Sequence, residues 1–191
     1  MNLCTDHCIV TFMDLIDVKK IINDDSRRAV ELMQNFHQVV YGQINNSMPK
    51  HQHAYTWNDS VLLVARIDEN LSQYKLIMKE ADELKKRIDE VCECYAISVK
   101  GMSFSEPCLF AGHQFKGQID QPKFVFLKSS SYAFSNCFEI EKKLKKHEKS
   151  WYLDERIFTK INISKPTLDE SVSMLPSGTK RKIYMYDRYL W

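Results

Sequence analysis

The chain has 191 residues, a length that suits one domain better than two. Hydrophobic residues make up 44% and aromatics 12%, enough for a packed core, and 27% charged residues is ordinary for a globular surface. A formal net charge of +2 speaks against the strongly basic face of a nucleic-acid binder, and no apolar run approaches the ~20 residues that span a bilayer.

The first residues, Met1 to Cys8, carry Asp6 and lack a basic leader followed by an apolar stretch, so no signal peptide is expected. The six cysteines (Cys4, Cys8, Cys92, Cys94, Cys108, Cys137) then read as reduced thiols of a cytoplasmic protein. Cys4, Cys8, Cys92 and Cys94 with His7 do not have the spacing of paired CxxC zinc ligands, and small buried thiols account for them better.

Cys8 to Met13 is a short β-branched and aromatic run ending at Asp14, as a buried strand would. Asp24, Asp25 and Ser26 offer N-cap chemistry for a helix through Gln43, with Ala29, Val30, Met33, Phe36, Val40 and Ile44 at helical spacing. Two strand-like runs, His53 to Trp57 and Val61 to Ile67, flank Asn58-Asp59-Ser60 as a hairpin does. Leu71 to Val91 is a charged amphipathic helix, and Cys94 to Val99 is read as a strand closed by Lys100-Gly101.

Met102 to Pro122 is read as a loop and Lys123 to Leu127 as a strand. Ser129 to Ser131 would cap a helix from about Tyr132 to Lys146. Arg156 to Ile163 and Lys182 to Leu190 are candidate strands. The order β-α-β-β-α-β-α-β-β argues a single α+β domain over 1–191, its sheet covered by helices on one face.

Chemistry concentrates in two segments: Phe12-Met13-Asp14-Leu15, an acid leaving a buried strand, and Tyr55-Thr56-Trp57-Asn58-Asp59, an acid in a hairpin tip. If the first strand pairs beside the hairpin, both carboxylates reach one edge of the sheet, where hard divalent cations and phosphates would be at home. Taken singly, each Asp reads more readily as an ordinary turn or capping residue. His51 and His53 lack an acid or Cys to complete a ligand set. Lys142, Lys143, Lys145, Lys146 and Lys149 read as a solvated helix end rather than a nucleic-acid patch.

Together, in this order, the segments resemble the class III adenylate/guanylate cyclase family over about residues 7–150, with 151–191 as a C-terminal extension. Members begin with a strand ending Phe-x-Asp plus an apolar residue (here Phe12, Asp14 and Leu15) and continue through a long helix to a hairpin bearing a second Asp (here Asp59 after Asn58). After the arm-like loop their Gly-x-Ala-x-x-x-Ala-x-x-Leu-Glu helix is matched loosely by Ser131, Ala133, Cys137, Ile140 and Glu141.

The resemblance implies a ferredoxin-like β-α-β-β-α-β core with an additional C-terminal helix and strands. It also implies a homodimer, and two Mn²⁺ or Mg²⁺ ions held by Asp14, Asp59 and the Leu15 carbonyl. Phe12 and Tyr55 would contact the nucleotide. Tyr55 stands where purine cyclases of the family commonly put Lys or Glu, and is similar in this to the bacterial pyrimidine cyclases of Pycsar anti-phage systems. The implied activity is conversion of CTP, or UTP, to the cyclic monophosphate, read by a separate effector.

The family's transition-state Asn and Arg are replaced by Ser135 and Glu139, with Asn136 one residue out of register. Lys100, Lys128 or a C-terminal basic residue such as Arg181 could supply positive charge to the triphosphate instead, although each taken singly reads more readily as a solvated surface residue. The alternative implied by this departure is a catalytically degenerate module that binds nucleotide or a protein partner.

Overall fold

The computed structural model describes residues 3–51, 53–67, 71–116, 122–130 and 132–191, and side chains in 7–51, 53–67, 72–108 and 132–191. In β1 (Leu3–Leu15) the residues Cys8, Val10 and Phe12 alternate with Ile9, Met13 and Leu15, and all are buried. A strand apolar on both sides has to be covered on both faces. It lies centrally, antiparallel to β3 (Ser60–Arg66) on one side and to β4 (Val99–Lys116) on the other. β2 (His53–Trp57) pairs outside β3, and β6 (Trp151–Asp154) pairs parallel to β4. β8 (Lys180–Tyr186) and β7 (Leu168–Ser173) complete the order β2-β3-β1-β4-β6-β8-β7. β5 (Pro122–Ser130) pairs with the outer half of β4 to form an arm.

The Ile9–Met13 face packs on α2 (Ser26–Ser47), through Ala29, Leu32, Phe36 and Val40, and on α3 (Leu71–Glu93), through Ile77, Met78, Ala81, Leu84 and Ile88. The Val10–Phe12 face, with Leu62, Val64, Met102 and Phe104, packs on α4 (Tyr132–Leu144) through Ala133, Cys137, Ile140 and Leu144. The α+β class stands, but helices cover both faces rather than one, as the two-sided burial of β1 requires. Among the described residues no helix is long and apolar enough to cross a membrane.

Several boundaries differ from the sequence reading for identifiable reasons. A short helix, α1 (Val18–Asp24), precedes α2, whose N-cap Asp25 accepts from the Arg27 and Arg28 N–H groups. Val30, assigned to the α2 stripe, is 56% exposed, and Leu32 takes the buried place. Cys94 to Val99 is not a strand. Tyr95 and Ala96 continue the helix end by donating to the Cys92 and Glu93 carbonyls, and Ala96 takes a left-handed φ of 56°.

Met102 to Pro122 is not a loop through most of its length, because β4 continues to Lys116 along β1 and then along β5. Arg156 to Ile163 is not extended: it is helical through Ile161, and Asn162 ends the helix with a left-handed φ of 46°. Asp154 N-caps α5 (Glu155–Ile161) by accepting from the Ile157 N–H at 2.9 Å, and Ile157 and Ile161 share its buried face.

Candidate active site

Asp14 is the penultimate residue of β1, opposite Ser60 of β3 and opposite Lys100 of β4. Asp59 sits in the hairpin tip after Asn58, whose left-handed φ of 43° is one that Asn tolerates. Two bonds fix that tip: the Leu15 N–H donates to the Asp59 carbonyl at 2.9 Å, and the His37 ring donates to the Asn58 carbonyl at 2.9 Å. The strand end and the hairpin tip thus come together, as the sequence reading required.

Ser60, only 4% exposed, joins the two acids. Its hydroxyl donates to the Asp14 carboxylate at 2.6 Å and lies 3.4 Å from the Asp59 carboxylate. A hydroxyl has one proton to give, so the shorter contact to Asp14 takes it. Burial pushes Asp14 up from 3.8 to about 6, against the Ser60 hydrogen bond. The charges of Asp59 and Glu141 push it up further, and that of Lys100 holds it down. Lys100 is buried, with its ammonium 5.7 Å from the centre of the Tyr152 ring.

Aromatic rings border the acids. Phe12 is 2% exposed and lies between Trp57, stacked at 6.1 Å, and Phe138, tilted at 5.1 Å. Trp57 and Phe138 themselves are 39% and 40% exposed. Tyr55, half-buried on β2, has a buried hydroxyl without a hydrogen-bond partner among the described residues.

Other candidates lie elsewhere. Asn136 is 1% exposed, and its amide accepts from the Leu175 N–H at 2.9 Å and donates to the Leu175 carbonyl at 3.4 Å. It braces the β7–β8 connection. Ser135 is exposed, and Glu139 lies along α4 with Lys143 at 3.9 Å. Arg181 is committed to Asp154 at 2.7 Å and to Glu106, six residues along β4 from Lys100, so it is not the triphosphate cation. The Lys128 side chain lies outside the described residues, as does that of Cys4. Lys146 and Lys149 pair with Glu170 and Asp187.

His51 is spent on Glu80 at 2.8 Å. Cys8 and Cys92 are buried, and among the described residues no three His, Cys, Asp or Glu side chains gather as a metal site.

Sequence reasoning missed Ser60, Trp57 and Phe138 as parts of this site. The strand register would have exposed Ser60, because the residue after Asp59 is the one that falls opposite Asp14.

No protein-family model matches the chain, and no curated protein matches it. Solved structures do. The adenylyl cyclase CyaB from P. aeruginosa is similar at a TM-score of 0.72 and 8% identity, over 97% of this chain and 95% of that one. The guanylyl cyclase Cya2 is similar at 0.70 and 8% identity, over 100% of both chains. A bacterial light-regulated adenylyl cyclase is similar at 0.70 and 6% identity, over 100% of this chain and 55% of that one. The chain therefore has the class III nucleotidyl cyclase fold.

Proposed function

We propose that the protein is a metal-dependent nucleotidyl cyclase acting on CTP, with UTP next. The observation that carries this reading is the pair Asp14 and Asp59, linked by Ser60 at the end of the central strand of a cyclase-fold sheet. The donor set fits two Mn²⁺ or Mg²⁺ ions. Both acids offer hard oxygens, and a dication would relieve the mutual repulsion that helps hold the Asp14 carboxyl at about 6. Asp14, Asp59 and the Leu15 carbonyl would hold the ions, with substrate phosphates as further ligands. Bound there, the ions supply activation of the ribose hydroxyl and neutralise charge on the phosphates.

In the reaction, the ribose 3′-hydroxyl gives up its proton to water and its oxygen bonds to the α-phosphorus. The bond to the bridging oxygen breaks at the same time, and that oxygen leaves with the electron pair as pyrophosphate. Ser60 orients Asp14 by its hydrogen bond. Lys100 adds a fixed positive charge beside the acids, the part that the absent Arg would play. Phe12 forms an apolar floor, backed by Trp57 and Phe138. The Tyr55 hydroxyl, without a partner among the described residues, is suited to hydrogen-bond a pyrimidine edge.

Because Tyr55, Trp57 and Phe138 stand on the Asp14 face with exposed apolar surface, a second copy of the chain would complete the site, giving a homodimer. If the resemblance of Tyr55 to the Pycsar cyclases extends to their role, the cyclic pyrimidine nucleotide would be a second messenger read by a separate effector in anti-phage defence.

The second reading, a degenerate nucleotide- or partner-binding module, is favoured by one observation: Asn136 is occupied by Leu175, and neither Ser135 nor Glu139 can replace the missing pair. A kcat/KM comparison over ATP, GTP, CTP and UTP, in wild type and Tyr55→Ala, tests the substrate assignment. Pyrimidines are expected to be used far faster, with a selective loss of pyrimidine turnover in the variant. Equal use of ATP and CTP by wild type contradicts the assignment. Nucleotide binding without pyrophosphate release favours the degenerate module.

A further inference from the structure

The segment after β8 lies against α3 at two acids, the buried Asp82 and the half-buried Asp89. Asp82, 1% exposed, accepts from the Trp151 indole at 2.9 Å, from the Leu190 N–H at 2.9 Å and from the Trp191 N–H at 3.4 Å. About two turns further along α3 stands the half-buried Asp89. It accepts from the Val99 N–H at 3.1 Å and from the Lys85 ammonium at 2.7 Å. Lys85 is 1% exposed, and its ammonium lies 5.1 Å from the centre of the Tyr189 ring, so the segment after β8 packs on the lysine end of the pair. Val99 is the first residue of β4, and the next residue is Lys100, opposite Asp14.

We propose that Asp89 is a positioning residue that fixes Lys100 beside Asp14 by holding the start of β4, and that Lys85 and Tyr189 keep Asp89 in place. The inference rests on reading Lys100 and Asp14 as the site, and it gives the C-terminal segment a role in it. Three physical points support it. A strand's first N–H needs a partner, and here a side chain from a long helix supplies it. An ammonium as deeply buried as that of Lys85 is tolerated only beside an opposite charge, so the geometry of the pair is narrowly set. The Tyr189 ring stands 5.1 Å from the Lys85 ammonium, and the near-complete removal of that ammonium from water strengthens the pairing. Burial lowers the Lys85 pKa and the Asp89 charge opposes it, as expected for a pair held together away from solvent.

Removing Asp89 alone would strand a buried ammonium, so the test uses Lys85→Met/Asp89→Leu, which removes both charges and the acceptor, together with the milder Tyr189→Ala. The readout is the Lys100 Hε/Cε resonance of protein labelled on lysine, assigned by its loss in Lys100→Arg. In wild type it is expected to be shifted upfield by the Tyr152 ring. In Lys85→Met/Asp89→Leu it should move to the position of exposed lysines, and in Tyr189→Ala part of the way, with the folded spectrum otherwise retained. An unmoved Lys100 signal in both folded variants overturns the proposal.

Turnover supplies a second arm. The double substitution should lower kcat roughly tenfold with KM little changed, and cost nothing further in a Lys100→Met background. An equal additional loss in both backgrounds overturns it as well. If wild type turns over no nucleotide, the proposed activity fails, while the resonance still decides the positioning role.

Discussion

Asp14 shows what burial does to a carboxyl at the end of a central strand. Its carboxyl is raised from 3.8 to about 6, first by burial, so the folded protein holds a proton there that the unfolded chain has already released. A raised carboxyl contributes stability at low pH that is lost as pH rises through about 4 to about 6. Metal-free wild type should therefore lose melting temperature across that window relative to Asp14→Asn, and Mn²⁺ at neutral pH should restore stability to wild type alone. Identical profiles in the two proteins would remove Asp14 from the account. Ser60 acts through Asp14, so Ser60→Ala should weaken Mn²⁺ binding about tenfold or more, as loss of a ligand's hydrogen-bond partner commonly does, measurable by titration calorimetry.

Among elements, the arrangement depends on β4, which carries Lys100 beside Asp14 and then Gly101 beneath Trp151. A Cβ on Gly101 would stand 2.7 Å from the Trp151 ring, which is fully buried and tied to Asp82. Gly101→Ala should cost about 1–3 kcal/mol in a urea-unfolding measurement, because a packed indole has nowhere to move. A stability equal to wild type would mean the ring is free to shift.

The hairpin and the long helices were legible in the sequence because their signals are local. Turn residues separate two apolar runs at Asn58-Asp59, and helical spacing carries α2 and α3. The strand β4 was not legible, since Gly101 and Pro107 resemble loop residues until 13 partners on β1 supply the hydrogen bonds. α5 was missed for the opposite reason. Its apolar pair Ile157 and Ile161 suits a short strand equally well unless the Asp154 cap is recognised. Asp14 and Asp59 could be singled out from local patterns, but Ser60 could not, because only the pairing of β1 with β3 shows what it faces.

At the scale of the whole molecule, one described chain brings the two acids, Lys100 and Tyr55 to a common face and leaves Trp57 and Phe138 open beside them. Dimerisation over that face would bury the exposed rings, so specific activity should fall on dilution as the light-scattering mass falls to that of one chain. Full activity from a strictly monomeric protein contradicts that arrangement.

The central claim is that this fold, with Asp14 and Asp59, cyclises a nucleoside triphosphate. The most direct test incubates pure protein and Mn²⁺ with each of the four nucleoside triphosphates and identifies products by mass, beside Asp14→Ala and Asp59→Ala. The account predicts a cyclic pyrimidine monophosphate and pyrophosphate from wild type, and neither from folded preparations of the two variants. Wild-type turnover retained by both variants, or no cyclic product from any of the four nucleotides, would contradict it.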